Sequence, residues 1–170
     1  MYKIFLIIIL KMDFASMQLS SNDQWMTPKS AWEAIQGFIP RDKTIWECFR
    51  GDGTSAENLR DLGFYVVSED EDFFENDKGE IIVSNMPFSI KKKVFSRLLE
   101  LNKPFIMIVP SACIHTKYFN QLFKNEVQLI VPSYRIQFIN PNDPNKKSTV
   151  PFTSLYVCYK MHLPKDLIFI

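Results

Sequence analysis

The stretch TIWECFRGDGT at residues 44–54 decides the fold class. It runs from an apolar strand pattern through a turn with two glycines into a helical pattern at residues 55–62. Glu47 ends the apolar run, and Gly51 and Gly53 permit a tight turn and a close approach of a ligand to the backbone. The turn lacks the complete G-x-G-x-x-G and G-x-x-x-x-G-K-S/T signatures, which disfavours a nucleoside triphosphate site. Taken alone, it is equally typical of a plain tight turn.

Strand-like and helix-like segments alternate along the rest of the chain. The strand-like segments are residues 44–48, 64–68, 81–84, 104–109, 127–131, 134–139 and 152–159. The helix-like segments are residues 29–36, 55–62, 90–102 and 115–125, and Thr27 ahead of Pro28 suits the N-cap of the first. Most of the strands are apolar throughout. The pattern therefore predicts an α/β fold with a mainly parallel sheet, helices on both faces and an antiparallel hairpin around residues 140–149.

Length and charge limit the organisation of the chain. A length of 170 residues favours a single domain, which we place at residues 20–170. The net charge of +1 conceals an asymmetry, because residues 47–80 carry a net charge of −8 and residues 81–170 a net charge of +8. This asymmetry indicates either two surfaces with different partners or merely solvated helix faces.

The cysteines and the first residues bear on the compartment. Cys48, Cys113 and Cys158 are widely spaced in apolar runs, which favours buried free thiols over disulfides or a zinc site, and no metal is predicted. Residues 1–19 are an apolar extension, whose first ten residues are too short to cross a bilayer as a helix. They fit a signal peptide or anchor, a non-native extension or a packing arm. The remaining residues indicate an intracellular protein without stable membrane association.

A second motif, NMPF at residues 85–88, follows the strand pattern at 81–84. The amide of Asn85 offers an acceptor and donors, and the ring of Phe88 can stack on a planar group. Together these residues suit a base that carries an exocyclic amine. The alternative is a loop with one packed phenylalanine.

In combination, the two motifs resemble the class I S-adenosylmethionine-dependent methyltransferases. More narrowly, the chain is similar to the small phage- and virus-type N6-adenine DNA methyltransferases over residues 22–159. DQWMTP at residues 23–28 is similar to that family's D-x-W-x-T-P entry, and NMPF to its catalytic Asn-Pro-Pro-Phe. Residues 104–110, 135–138 and 151–152 are similar to the family's next strand and closing hairpin. The resemblance implies a Rossmann-like fold and S-adenosylmethionine as the cofactor.

The resemblance also implies a set of cofactor-binding residues. They are Trp25, Thr27, Pro28, Glu47, Gly51, Gly53, Glu69, Asp70, Asp72 and Phe73. Glu47 would face the methionine end of the cofactor, and either Glu69 or Asp70 would bind the ribose hydroxyls. Asp72 would accept a hydrogen bond from the adenine amine, and Phe73 would pack on that ring.

Four consecutive residues would carry the chemistry: Asn85, Met86, Pro87 and Phe88. By the resemblance, the Asn85 side-chain oxygen and the Met86 carbonyl accept hydrogen bonds from the N6 amine, and Phe88 stacks on the flipped base. No general base is required. Met86 stands where the family usually has proline, so the carbonyl is retained while the stiffness of that proline is lost. Retained activity is expected, and an inactive binding subunit is the alternative.

Lysines follow this loop directly. Lys91, Lys92 and Lys93 stand at the start of a predicted helix, where the helix dipole does not favour cations. With Arg135 they indicate contacts with nucleic-acid phosphates, and the alternative is a solvated helix face. DNA is the expected substrate, with RNA adenine or a protein glutamine amide as alternatives. The chain leaves no room for a separate target-recognition domain, so a partner subunit could supply recognition.

Overall fold

The computed structural model describes Asp23, residues 25–145 and residues 152–170. The predicted extension at residues 1–19 lies outside the described residues, as do Gln24 of the DQWMTP motif and Pro151 of the closing segment. The domain boundary at residue 20 therefore stays a prediction.

Within these residues the strands form one mixed sheet in the order β2-β1-β3-β4-β6-β5-β7. They are β1 Ile45–Trp46, β2 Val66–Val67, β3 Ile81–Asn85, β4 Phe105–Pro110, β5 Val127–Val131, β6 Ser154–Tyr159 and β7 Leu167–Phe169. Strands β1 to β4 pair in parallel, and β6 runs antiparallel to both β4 and β5. This topology confirms the predicted α/β fold with its mainly parallel sheet. The antiparallel pairing at the C-terminal end joins β6 to β4 and to β5. Residues 146–149 of the loop predicted at 140–149 lie outside the described residues.

The helices lie on both faces of the sheet, as predicted. They are α1 Lys29–Glu33, α2 Thr54–Asp61, α3 Lys91–Leu101 and α4 Lys117–Phe123. Because neighbouring strand residues point to opposite faces, Ile45 packs in the cluster of α1 and α2, and Trp46 in the cluster of α3 and α4. Trp32 and Leu59 are buried in the first cluster, and Phe95 is buried in the second.

The strand predicted at residues 134–139 is wrong. These residues stay irregular apart from a bridge in which Met26 and Ile139 exchange backbone hydrogen bonds of 2.9 Å. The physical reason is that β6 is paired on both sides, with β4 and β5, and offers no free edge for a further strand. Ile136 and Phe138 instead contribute their side chains to the core.

Two smaller expectations also fail. Thr27 does not cap α1, because Pro28 takes the N-cap position and the described structure gives it no side-chain cap. The last ten residues, which carried no predicted element, include β7, which pairs in parallel with β5.

Cys48, Cys113 and Cys158 are buried free thiols. In the part of the chain that the structure describes, no helix has the length and apolar character needed to cross a membrane.

Candidate active site

A cleft of about 1030 Å³ opens at the carboxyl ends of β1 and β3. Ligands bind at this edge of open parallel sheets, and the volume is ample for a drug-sized ligand. Of the predicted site residues, those that line the cleft are Trp25, Thr27, Glu47, Gly51, Glu69, Asp70, Asp72, Phe73, Asn85, Met86, Pro87 and Lys93. Pro28 and Gly53 do not line the cleft and instead hold the N-cap positions of α1 and α2.

Glu47 lies at the floor of the cleft with 1% of its surface exposed. Its Oε1 accepts hydrogen bonds from the backbone N–H of Phe49 at 3.2 Å and from the Ser84 hydroxyl. Its Oε2 is buried without a partner among the described residues. Burial raises the pKa of Glu47 to about 7, although the hydrogen bond from Ser84 acts in the opposite direction.

The glycine turn adopts the backbone conformation that the sequence predicts. Gly51 and Gly53 have φ values of +55° and +92°, a region that other residues rarely enter. The Gly53 N–H donates to the Arg50 carbonyl at 2.9 Å, which closes the turn ahead of α2. The side-chain sulfur of Met26 would lie 3.5 Å from a Cβ on Gly51. The turn therefore brings its backbone against Met26, which also lines the cleft.

The acidic stretch after β2 forms one rim of the cleft. Lys78 forms ion pairs with Glu69 and Glu71, and it lowers the pKa of Glu69. Asp72 uses Oδ1 to accept the Phe74 N–H at 2.8 Å. Asp70 is exposed, and it makes no hydrogen bond or ion pair within the described residues. Asp70 is thus a carboxylate at this rim that no contact among the described residues restrains.

Aromatic rings pack beneath this rim. Phe73 is 3% exposed, and its ring centroid lies 4.8 Å from that of Phe49 and 5.3 Å from that of Phe74. Phe49 and Phe74 are half-buried and line the cleft with it. The sequence analysis did not select these two rings, although Phe74 directly follows Phe73 and Phe49 lies between Glu47 and Gly51. The rings supply an apolar wall on which a planar group can pack.

Asn85 stands where the large cleft meets a small aromatic pocket. It is the last residue of β3, paired in register with Ile108 of β4. Its Oδ1 is buried and has no hydrogen-bond partner in the described part of the chain. The small pocket, of about 20 Å³, is lined by the aromatic side chains Trp25, Phe88, Phe138 and Phe152 as well as by Asp23, Asn85 and Met86.

Phe88 belongs to this smaller pocket rather than to the cleft. Its ring makes edge-on contacts with Phe138 and Phe152, at centroid distances of 6.3 and 5.1 Å. Met86 is 2% exposed and packs its side chain into the core of the α3 face. The side chain of Met86 therefore contributes to the core.

The predicted basic residues do not act alike. Lys93 lines the cleft, whereas Lys91 donates to the Phe88 carbonyl at 3.2 Å and Lys92 lies 5.1 Å from the centre of the Tyr118 ring. Arg135 is exposed in the connection between β5 and β6. Only Lys93 of these residues is placed at the cleft itself.

Comparison with known proteins identifies the fold. No family model matches the sequence, and no curated protein matches it. Among solved structures, 23S rRNA methyltransferase ErmE aligns with a TM-score of 0.52 and 10% identity, over 79% of this chain and 70% of that chain. A candidate class I S-adenosylmethionine-dependent methyltransferase from Listeria monocytogenes aligns with a TM-score of 0.51 and 13% identity, over 99% of this chain and 70% of that one. The chain has the class I methyltransferase fold.

The alignment with a third solved structure covers a smaller share of that protein. The chain aligns with a dimethyladenosine transferase from Plasmodium falciparum at 11% identity and a TM-score of 0.49, over 79% of this chain and 62% of that protein. The chain thus spans less than two thirds of that transferase. Within the class I methyltransferase fold, the glycine turn after β1 and the loop after β3 both lie on the ligand-binding edge of the sheet.

Proposed function

We propose that this protein transfers a methyl group from S-adenosylmethionine to the N6 amine of adenine in DNA. The observation that carries the proposal is the buried Oδ1 of Asn85, which has no partner among the described residues and lies between the cleft and the aromatic pocket. A buried acceptor without a partner is costly, and an amine N–H from a substrate would satisfy it. The aromatic pocket beside it suits a planar base.

The cleft has the chemistry that the cofactor needs. Oε2 of Glu47 is a second buried acceptor without a partner in the described residues, and it fits an ammonium group. Asp70 is a better ligand for ribose hydroxyls than Glu69, because Lys78 already holds Glu69. Oδ2 of Asp72 can accept a hydrogen bond from the adenine amine of the cofactor, since the Phe74 N–H is bonded to Oδ1. When bound, S-adenosylmethionine supplies an electrophilic methyl group.

The residues of the loop would position the target. Oδ1 of Asn85 accepts one N–H of the target amine, and the carbonyl of Met86 accepts the other. These two acceptors would hold the amine nitrogen between the aromatic pocket and the large cleft, and would leave its lone pair free on the side where the cofactor would be held. Positioning is then the main contribution of the protein, and the proton lost from nitrogen passes to water. The pocket of about 20 Å³ must widen to admit a base. The target base must also leave its stack in the nucleic acid, at a cost of a few kcal/mol.

The narrower resemblance to phage- and virus-type N6-adenine DNA methyltransferases supports DNA as the substrate. Lys93 lines the cleft and supplies a cation there, and lysines are among the residues that neutralise nucleic-acid phosphates. Adenine in RNA is the second candidate, because the fold is similar to that of a 23S rRNA methyltransferase.

The test is transfer of a labelled methyl group to adenine-containing DNA, to RNA and to a glutamine-containing protein. We expect label on adenine N6 in DNA, and Asn85→Ala should reduce transfer about 100-fold or more because the amine is no longer positioned. The matched control is Asn125→Ala, which removes an exposed amide after α4.

Thermal stabilisation by S-adenosylmethionine should be the same in the Asn85→Ala variant as in the unmodified protein. Equal transfer by the Asn85→Ala and unmodified proteins would contradict the assigned mechanism. A protein that the cofactor does not stabilise would instead be an inactive binding subunit.

A further inference from the structure

The carboxylate of Asp23 is bonded to the loop that carries Asn85. Its Oδ1 accepts the backbone N–H of Phe88 at 2.8 Å and that of Ser89 at 3.2 Å, and its Oδ2 accepts the Ser89 hydroxyl. These residues are 65 and 66 positions apart in the sequence. Both oxygens of Asp23 therefore face donors of the loop, although the residue lines the cleft.

The start of α3 explains why a carboxylate is needed there. The turn Phe88–Ile90 leads directly into α3, whose first turn contains Lys91, Lys92 and Lys93 and no acidic residue. Neither the turn nor α3 has a side-chain cap at its N-cap residue. The backbone N–H groups at the start of the turn have no partner within the helix, and the lysine cations follow them directly. Both favour an anion at this position, and Asp23 supplies it from a distant part of the sequence.

Asp23 also connects the two cavities. Asp23 and Trp25 line both the cleft and the aromatic pocket. Three residues after Asp23, Met26 is bonded to Ile139 by a pair of 2.9 Å backbone hydrogen bonds. The segment is thus fixed to the β5–β6 connection at one point and to the Asn85 loop at another. The position of Asp23 at the cleft is therefore coupled to the position of the loop.

We propose that Asp23 is a positioning residue for methyl transfer, which holds the Asn85–Phe88 loop in its reactive orientation. The proposal rests on the proposed function. Asp23 does not touch the target amine, and its effect passes through the Phe88 and Ser89 backbone to Asn85 and Met86. A shift of about 1 Å in a positioned group can reduce a rate about 100-fold. We call the hydrogen bonds from Phe88 and Ser89 to Asp23 the clamp. Loss of the clamp should therefore affect the chemical step more than the binding of the cofactor.

The experiment compares Asp23→Ala and Asp23→Asn with the unmodified full chain. Asp23→Ala should lower kcat for methyl transfer about tenfold or more, with the Kd for S-adenosylmethionine changed less than about threefold. Asp23→Asn should recover most of kcat, because its amide oxygen still accepts the Phe88 and Ser89 N–H groups. Asp42→Ala, which removes an exposed carboxylate ahead of β1, is the matched control and should leave kcat unchanged.

Amide hydrogen exchange provides a readout that does not depend on activity. In Asp23→Ala, exchange at Phe88 and Ser89 should accelerate about tenfold or more, while amides in β4 keep their rates. Unchanged exchange at these two amides overturns the clamp. Accelerated exchange with unchanged kcat, or with kcat and cofactor affinity reduced equally, overturns the positioning role. If exchange accelerates but the unmodified protein transfers no methyl group, the proposed function fails while the clamp stands.

Discussion

The Ser84 hydroxyl donates a hydrogen bond to Oε1 of Glu47 and so joins the carboxyl ends of β3 and β1 beneath the cleft. The Phe49 N–H donates to the same oxygen, whereas Oε2 has no partner in the described residues. Burial raises the pKa of Glu47 to about 7 in spite of these donors. The carboxyl group beside the proposed methionine end of the cofactor therefore changes charge near neutral pH.

The first prediction concerns stability and pH. The carboxyl of Glu47 has an ordinary pKa of 4.5 in the unfolded chain and about 7 in the folded protein, so the folded protein binds its proton more tightly. The resulting stabilisation is complete below pH 4.5 and declines as pH rises to about 7. Relative to Glu47→Gln, the unmodified protein should lose about 3 kcal/mol of unfolding free energy across this range.

Chemical denaturation of both proteins at a series of pH values measures this difference directly. Glu33→Gln, which removes an exposed carboxylate from α1, is the control for the loss of one carboxylate. A constant difference between Glu47→Gln and the unmodified protein from pH 4.5 to 8 would mean that burial does not perturb Glu47.

The second prediction concerns cofactor binding. The ionised carboxylate of Glu47 is the form that attracts an ammonium group, so affinity for S-adenosylmethionine should rise as pH increases toward 7 and then level off. Below pH 7, binding should release up to about one proton, which calorimetry in buffers of different ionisation enthalpy detects. Glu47→Gln should bind more weakly, by about tenfold or more, and without this proton release. Equal proton release by both proteins would assign the effect to another group.

The part of the candidate site that can be predicted from the sequence consists of short segments that directly follow apolar strand patterns. The sequence predicts the glycine turn and Asn85 at one edge of the sheet, because each follows an apolar strand pattern and parallel strands bring their carboxyl ends to one edge. Both line the cleft in the structure. Asp23 was selected only as part of a motif, because its bonds to Phe88 and Ser89 depend on tertiary structure. The strand predicted at 134–139 failed for a similar reason, since β6 is already paired with β4 and β5. Local pattern does not reveal which sheet edges are occupied.

The third prediction concerns Gly79, two residues ahead of β3. It has a φ of +60°, and a Cβ there would lie 2.9 Å from both the Thr44 carbonyl oxygen and the Trp46 backbone nitrogen. Gly79→Ala should therefore separate β3 from β1 and destabilise the protein by about 2 kcal/mol or more. Gly37→Ala is the control, because nothing lies within 4 Å of its Cβ position. Equal unfolding free energies for the two variants would show that the β1–β3 contact tolerates a methyl group.

The fourth prediction separates Lys93 from its neighbours. Lys91 is bonded to the Phe88 carbonyl and Lys92 packs on Tyr118, so Lys93 is the lysine of this group that is placed at the cleft. Lys93→Ala should weaken binding of nucleic acid and reduce the slope of log K against log salt by about one. Lys165→Ala, at an exposed position ahead of β7, should leave the slope unchanged. Fluorescence anisotropy with a labelled duplex measures both slopes, and identical slopes would place the phosphates away from the mouth of the cleft.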